Sequence, residues 1–361
     1  MSSLKVFLML CSENFRKICG KEMLNVEKID FVIPWVDGSD PDWIERKGTF
    51  SNKNKLENSV DDDYLDDANT ENRYRDYGSL KFLLRSIEKF APWVNNVFLV
   101  TDRQRPKWLR ENDKLRVVDH TEIIDQKFLP TFNSNAIELN VHKIVGLSEN
   151  FVLFNDDFLL TSPVKPTDFF KNGHPVDAAI FYPIFPREGF DRIRLNCVIP
   201  INNNFDKRKV EKKFFFKIFN FKYKKKLINN LFDLPYPNIM GIYDFHIPIA
   251  YSKREFKLVW HEESSLLKET VSHRFRGNTD VSHWLIRYWR LMEGDFSAQS
   301  LPFGRYFNMD QIDEWSKALD SKRLKTICIN DVSDPNAFSA LQNIFQKKLG
   351  DKFPVPSVWE R

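Results

Sequence analysis

Asn155-Asp156-Asp157 follows an apolar run at residues 151–154 and places two adjacent carboxylates at the end of an expected buried strand. Paired carboxylates there can hold Mg²⁺ or Mn²⁺, hard cations that take oxygen ligands. A cation so held neutralises the oxygens of a diphosphate and its leaving group. Successive strand side chains point to opposite faces, so one of the two aspartates should reach the cation better than the other. The plain alternative is a turn or helix-capping pair. Asp37-Gly38-Ser39-Asp40 is similar in type. Gly38 permits close approach of the backbone to a ligand, and Asp37 and Asp40 could grip a ribose hydroxyl or the cation. Here the alternative is an ordinary Asp-Gly turn. Arg73, Arg75, Arg274 and Arg276 carry guanidinium forks that match phosphate oxygens, although a single arginine is commonly a solvated surface group. His246, within Asp244-Phe245-His246-Ile247-Pro248, could take a proton from an attacking hydroxyl near neutral pH. A lone histidine is more often structural, and His142 reads as a packing or hydrogen-bonding residue.

Elements must bring these residues together. Residues 29–36 (IDFVIPWV), 95–101 (NNVFLVT), 115–118 and 151–154 (FVLF) read as buried strands. Leu80, Leu83, Leu84 and Ile87 repeat at helical spacing, and residues 135–147 present Ile137, Val141, Ile144 and Val145 at the same period. Strands alternating with helices predict an α/β fold with a mostly parallel sheet flanked by helices. Ligands of such sheets bind beyond the carboxyl ends of the strands, where both acidic turns would fall. Polar residues 45–72, with Asp61-Asp62-Asp63, read as a long mobile loop, and residues 275–293 as a helix. The stretch 353–358 reads as an extended tail.

Domain organisation follows composition: an extension at 1–28, an α/β core at 29–200, a basic, Phe-rich insertion at 201–240, and a mainly helical C-terminal part at 241–361. Between Lys207 and Lys226 the insertion interleaves basic residues with Phe214, Phe215, Phe216, Phe219 and Phe221. That pattern fits a basic amphipathic helix on an anionic membrane, or a surface element whose rings pack on the body. A net charge of +4 from 54 basic and 50 acidic residues gives no global reason to expect nucleic acid. Cys11, Cys19, Cys197 and Cys328 lack paired spacing, so free thiols in a reducing compartment are expected rather than a zinc site. The apolar run at 6–11 is too short to span a bilayer and shows no clear cleavage site. The expected location is the cytoplasm, with peripheral attachment at the inner membrane face as the alternative.

Taken together, four blocks of this chain resemble the Stealth family of sugar-phosphate transferases. They are IDFVIPWVDGSDPDW (29–43); residues 72–109, beginning NRYRDYG, continued by 129–159, ending NDDFL; the stretch from DFHIP (244–248) to HRFRGNTDVSHWLIRYWRLMEG (273–294); and CINDVSDPN (328–336) with FPVPSVWE (353–360). The family includes bacterial capsule and surface-polysaccharide phosphotransferases and the catalytic subunit of lysosomal-enzyme N-acetylglucosamine-1-phosphotransferase. The resemblance implies a Rossmann-like, glycosyltransferase-A-like fold and phosphoryl transfer from a UDP-sugar donor to an oligo- or polysaccharide acceptor, free or lipid-linked. It implies Mg²⁺ or Mn²⁺ on Asp156 and Asp157, Arg73 and Arg276 on phosphate oxygens, and His246 as base. Asp37, Gly38 and Asp40 would contact the nucleotide-sugar. Asp76, Asp280, Asn330 and Asp331 would orient groups or add a metal contact. A metal-dependent glycosyltransferase releasing UDP, or a carbohydrate- or membrane-binding module without turnover, are the alternatives. The 203–230 stretch departs from the family pattern.

Overall fold

A computed structural model describes residues 28–57, 70–187, 189–332 and 334–361. The apolar run at 6–11, Cys11, Cys19 and Asp61-Asp62-Asp63 lie outside the described residues. In chain order the strands are β1 (Ile29–Pro34), β2 (Val97–Thr101), β3 (Leu115–Asp119), β4 (Asn150–Leu153), β5 (Phe158–Leu160), β6 (Phe170–Lys171), β7 (His174–Asp177), β8 (Ile249–Ser252), β9 (Ser297–Ala298), β10 (Gly304–Asn308) and β11 (Thr326–Asn330). The main sheet has the order β3-β2-β1-β4-β8; its first four strands are parallel, and β8 closes one edge antiparallel to β4. The expected α/β fold, a mostly parallel sheet flanked by helices, is what the chain adopts.

Side-chain alternation builds a core on each face of this sheet. Phe31, Ile33, Leu99, Val152 and Phe154 pack on one side beneath the helix Ser79–Phe90, whose Leu80, Leu83, Leu84 and Ile87 are all buried. Val32, Phe98, Val100, Phe151 and Leu153 pack on the other, beneath the helices Lys253–Glu262 and Trp284–Glu293. From β1 the chain steps outward to β2 and β3, then returns to lay β4 on the opposite side of β1. The crevice beyond the ends of β1 and β4 is therefore the topological switch point. A second sheet, β10-β11-β5, lies against that crevice, because β5 begins immediately after Asp157 and pairs antiparallel with β11.

Several expected elements differ. Residues 45–57 are helical, within Pro41–Glu57, rather than loop. The Asp40 carboxylate accepts from Trp43 N at 2.9 Å, capping the first turn, and buried Trp43 anchors it. Residues 135–147 are not one helix: Ser134–Glu138 is followed by a 3-10 turn, Val141–Lys143, and Val145 is exposed. Asn140 Nδ2 donates to Ala136 O at 2.7 Å, capturing a carbonyl that a continuing helix would need. The helix expected over 275–293 starts only at Trp284, because the preceding residues wrap around buried Asp280. The insertion is a chain of short pieces, Lys207–Lys213, Phe215–Ile218, Phe221–Lys226 and Leu227–Asp233, not one amphipathic helix. Among the described residues no helix is long and apolar enough to cross a membrane.

The tail is anchored at both ends rather than simply extended. Phe353 and Trp359 are buried, and Glu360 accepts from Arg85 Nε and Nη2 at 2.7 Å each and from Ser357 N at 2.8 Å. Burial works against the charge, yet Arg85 and Lys81 hold the Glu360 carboxyl down to about 2, below its ordinary 4.5. This stabilisation is complete above about pH 4.5 and is lost as pH falls towards about 2. Glu360→Gln is expected to cost on the order of 3 kcal/mol near neutral pH. Urea unfolding at falling pH should show the gap between the two proteins closing.

Candidate active site

A cleft of about 810 Å³ opens at the switch point. Asp156, Asp157, His246, Arg73, Arg276, Asn330 and Asp331 all line it, although they span most of the sequence. Asp156 and Asp157 follow β4, whose continuation is locked by Phe154 N donating to Val32 O on β1. Asn330 ends β11 and Asp331 follows it. The β5–β11 pairing carries Cys328 and Ile329 to Asp157, with Ile329 N donating to Asp157 O at 3.1 Å.

The floor is acidic and short of donors. Asp157 Oδ2 accepts from Cys328 Sγ at 3.1 Å, while its Oδ1 is buried with no hydrogen-bond partner among the described residues. Ligand atoms of Asp157, His246 and Cys328 lie within 4.8 Å of one another. Burial, Asp157 and Asp76 push the Asp156 carboxyl well above the usual range. Adjacent carboxylates under such strain are relieved by a bound cation. The orphaned Asp157 oxygen and this crowding fit a hard divalent ion held by oxygen.

His246 is clamped by its neighbour Asp244. Its backbone N donates to Asp244 Oδ1 at 2.9 Å, and Nδ1 lies 3.7 Å from Asp244 Oδ2. The rings of Phe158 and Tyr306 pack against the imidazole at 5.5 and 5.3 Å. A backbone φ of 48° at this non-glycine residue is a costly conformation, held by those contacts. Burial opposes the imidazolium, but the hydrogen bond and charge of Asp244, with Asp157 and Glu138, raise the His246 pKa above 6.5.

Arg276 donates from Nη2 to Ser134 Oγ at 2.7 Å. Its loop is organised by Asp280, which accepts from His273 Nδ1 at 2.6 Å, Asn133 Nδ2 at 2.7 Å and Gly277 N at 3.0 Å. Asp280 is fully buried and fixes the loop that carries Arg276. Arg73 sits in the 3-10 turn Glu71–Tyr74, its guanidinium 6.0 Å from the Phe190 ring. Arg75 also lines the cleft and pairs with Asp331 at 3.0 Å, and Arg274 donates to Pro130 O at 2.6 Å.

The first acidic turn stands behind the wall of the cleft. Asp37, Gly38 and Asp40 do not line it, whereas the flanking Trp35, Val36 and Trp43 do. Asp37 Oδ1 accepts from Ser39 N and Oγ at 2.9 and 2.6 Å. The protein's own packing requires glycine at position 38, since a Cβ there would lie 2.4 Å from Tyr74 O. Asp76 likewise stays outside the lining; its Oδ1 accepts from Gly78 N at 2.8 Å, and burial and Asp37 raise its pKa.

Two family models match: Stealth protein CR1, conserved region 1, over residues 27–55, and Stealth protein CR2, conserved region 2, over residues 73–177. The chain is also similar to the capsular polysaccharide phosphotransferase WcwK of Streptococcus pneumoniae, 39% identical over 346 residues that cover 94% of this chain and 100% of the relative. The chain belongs to the Stealth family. Other relatives include the exopolysaccharide phosphotransferase cps2G of Lactiplantibacillus plantarum, 39% identical over 92% of this chain and 96% of its own length. The receptor polysaccharide phosphotransferase WefC of Streptococcus gordonii is 38% identical over 93% of this chain and 99% of its own. In Stealth terms, region 1 contributes β1 and the turn behind the wall, and region 2 contributes Arg73, Asp156 and Asp157.

The Stealth cleft also holds groups that sequence reasoning passed over. Burial pushes the Glu138 carboxyl up to about 7, against the opposing pull of Arg276 and His246. Glu138 Oε2 lies 3.6 Å from His283 Nε2, and His283 Nδ1 is 2.8 Å from the Tyr251 hydroxyl. Burial pushes His283 down to about 3, so this imidazole stays neutral. Against burial, His246 holds Asp244 well below the usual carboxylate range. The Asp-x-His spacing at 244–246 was a readable signal for Asp244; Glu138 and Cys328 offered none, each lying in an ordinary helical or apolar run.

Asp280→Asn is expected to cost about 2 kcal/mol or more, because the amide cannot accept from three donors as the carboxylate does. Chemical denaturation measures that loss. Donor KM should rise with it as the loop bearing Arg276 loosens.

Proposed function

We propose that this Stealth protein transfers a hexose or N-acetylhexosamine 1-phosphate from a UDP-sugar to a hydroxyl of a carbohydrate acceptor. The products are a phosphodiester link and UMP, in capsule or cell-surface polysaccharide synthesis. One observation carries the reading: paired carboxylates, a clamped imidazole and two arginines from distant segments converge on one cleft at the switch point. The names of the relatives support the phosphotransferase class.

The protein's own groups supply positioning and proton transfer. With Nδ1 beside Asp244, His246 offers Nε2 to the acceptor hydroxyl and takes its proton. The freed oxygen attacks the phosphorus adjoining the hexose. The bond from that phosphorus to the oxygen of UMP breaks, and the electron pair leaves with UMP. Arg73 and Arg276 balance charge on the non-bridging oxygens and hold the diphosphate in line. A Mg²⁺ or Mn²⁺ held by Asp156 and Asp157, with Asn330 and Asp331 nearby, would supply charge neutralisation at the diphosphate. Trp35 and Trp43 line the same cleft and form an aromatic wall suited to a sugar or base. The proposed site of the reaction is the cytoplasm, and a lipid-linked acceptor would bring the protein to the membrane face.

Incubation with a panel of UDP-sugars, Mg²⁺ and acceptor glycans tests this directly. Released UMP with a phosphodiester product is the expected result. Released UDP with a simple glycoside would replace the proposal with glycosyl transfer.

A further inference from the structure

The segment between Phe205 and Pro237 has a fixed inner side and an apolar, basic outer one. Inside, buried Lys207 donates from Nζ to Asp233 O at 2.6 Å and Tyr236 O at 2.8 Å, and pairs with Asp233 Oδ2 at 2.7 Å. Buried Asn230 donates to Ala179 O at 2.8 Å and Ile218 O at 2.7 Å, and accepts from Phe181 N at 2.7 Å. Tyr223 is buried, and its hydroxyl donates to Lys217 O at 2.7 Å. These bonds fix the short helical pieces to the body and to one another, so the outward side chains belong to a built surface.

That surface is unusual in its rings. Phe216 and Phe221 are 85% and 89% exposed, and Phe232 is 71% exposed. Phe215, Ile228 and Leu231 are each about half exposed. The same segment exposes Arg208, Lys209, Lys212, Lys213, Lys224 and Lys225, whereas Asp206 is its one exposed carboxylate. Scattered exposed apolar residues are ordinary, but this many exposed large rings and aliphatics in one short segment point to an interaction surface. Phenylalanines that enter an acyl layer beside lysines that meet lipid phosphates suit the interface of an anionic bilayer. A second copy of this chain fits poorly, since a two-fold contact would set each basic cluster against its twin.

We propose that the Phe205–Pro237 surface docks the protein on anionic phospholipid, with Phe216, Phe221 and Phe232 inserting and the surrounding lysines and Arg208 contacting headgroup phosphates. Docking would bring the protein to the membrane where lipid-carried acceptors lie, and it does not depend on which donor is used.

The test is sedimentation with vesicles of phosphatidylcholine alone and of phosphatidylcholine with about one-third phosphatidylglycerol. The wild-type chain is expected to bind the anionic vesicles and to be released by high salt. Phe216→Glu with Phe221→Glu should weaken binding by roughly a hundredfold or more, at about tenfold per lost ring. Lys212→Gln with Lys225→Gln should weaken it less and flatten the salt dependence. Unchanged thermal unfolding would show that the variants fold. Wild type that ignores anionic vesicles, or that binds neutral ones equally, overturns the proposal. So does a double-Phe variant that binds as wild type does. Self-association by light scattering, abolished by the Phe substitutions without any vesicle binding, would reassign the surface to a contact between copies. The assay uses neither donor nor acceptor, so its failure is separate from any failure of the proposed reaction.

Discussion

Asp157→Ala is expected to lower sugar-phosphate transfer by about 10³-fold or more. Charge stabilisation at a diphosphate is worth several kcal/mol, and each 1.36 kcal/mol is a decade of rate. The residue sits where β4, β5 and β11 meet, with one carboxylate oxygen bound to Cys328 and the other without a partner among the described residues. An alanine there removes the oxygen that the cleft leaves available, while Cys328 loses only a weak partner. Asp156→Ala should also impair transfer, and it relieves the burial and like-charge repulsion that push the Asp156 carboxyl up. Isothermal titration with Mn²⁺ gives a readout apart from turnover, and affinity should fall in both variants. A variant with full activity and unchanged Mn²⁺ binding would remove these carboxylates from the site.

His246→Ala is expected to lower kcat by about 10² to 10⁴, the range for loss of a general base. Donor binding should be largely retained, because Arg73, Arg276 and the carboxylates remain. Replacing a strained residue at φ 48° also alters the backbone, so Asp244→Asn is the sharper companion. It keeps the imidazole but weakens the hydrogen bond and removes the charge that hold it. A smaller fall in kcat with little change in donor KM is the expected pattern. Single-turnover measurements separate the chemical step from product release. Turnover at the wild-type rate in His246→Ala would assign the proton transfer elsewhere, with Glu138 the nearest candidate by its pKa of about 7.

The parts of this protein legible in sequence are those set by local rules. Apolar runs marked β1, β2, β3 and β4, with acidic turns after the first and last of them, because strands inside a parallel sheet are buried on both faces. The helix Ser79–Phe90 was legible for the same reason at a different period. Where polar side chains compete for backbone groups, the periodic signal misled. Asn140 ended an expected helix by taking a carbonyl, and Asp40 started an unexpected one by capping its first turn.

By itself, the sequence determined the layered α/β class, the edge of the sheet on which the acidic turns lie, and the residue types able to manage a diphosphate. Only the tertiary structure decided which of those residues share a cleft. It brought Asp157, His246 and Cys328 within 4.8 Å, turned Asp280 into the support of Arg276, and set Asp37 and Gly38 behind a wall. The reason is that strand order and the β5–β11 pairing bring together residues far apart in the chain, such as Asp157 and Cys328. A local pattern carries the chemistry of a side chain, but its neighbours and burial are set by crossovers between strands, which leave no periodic trace.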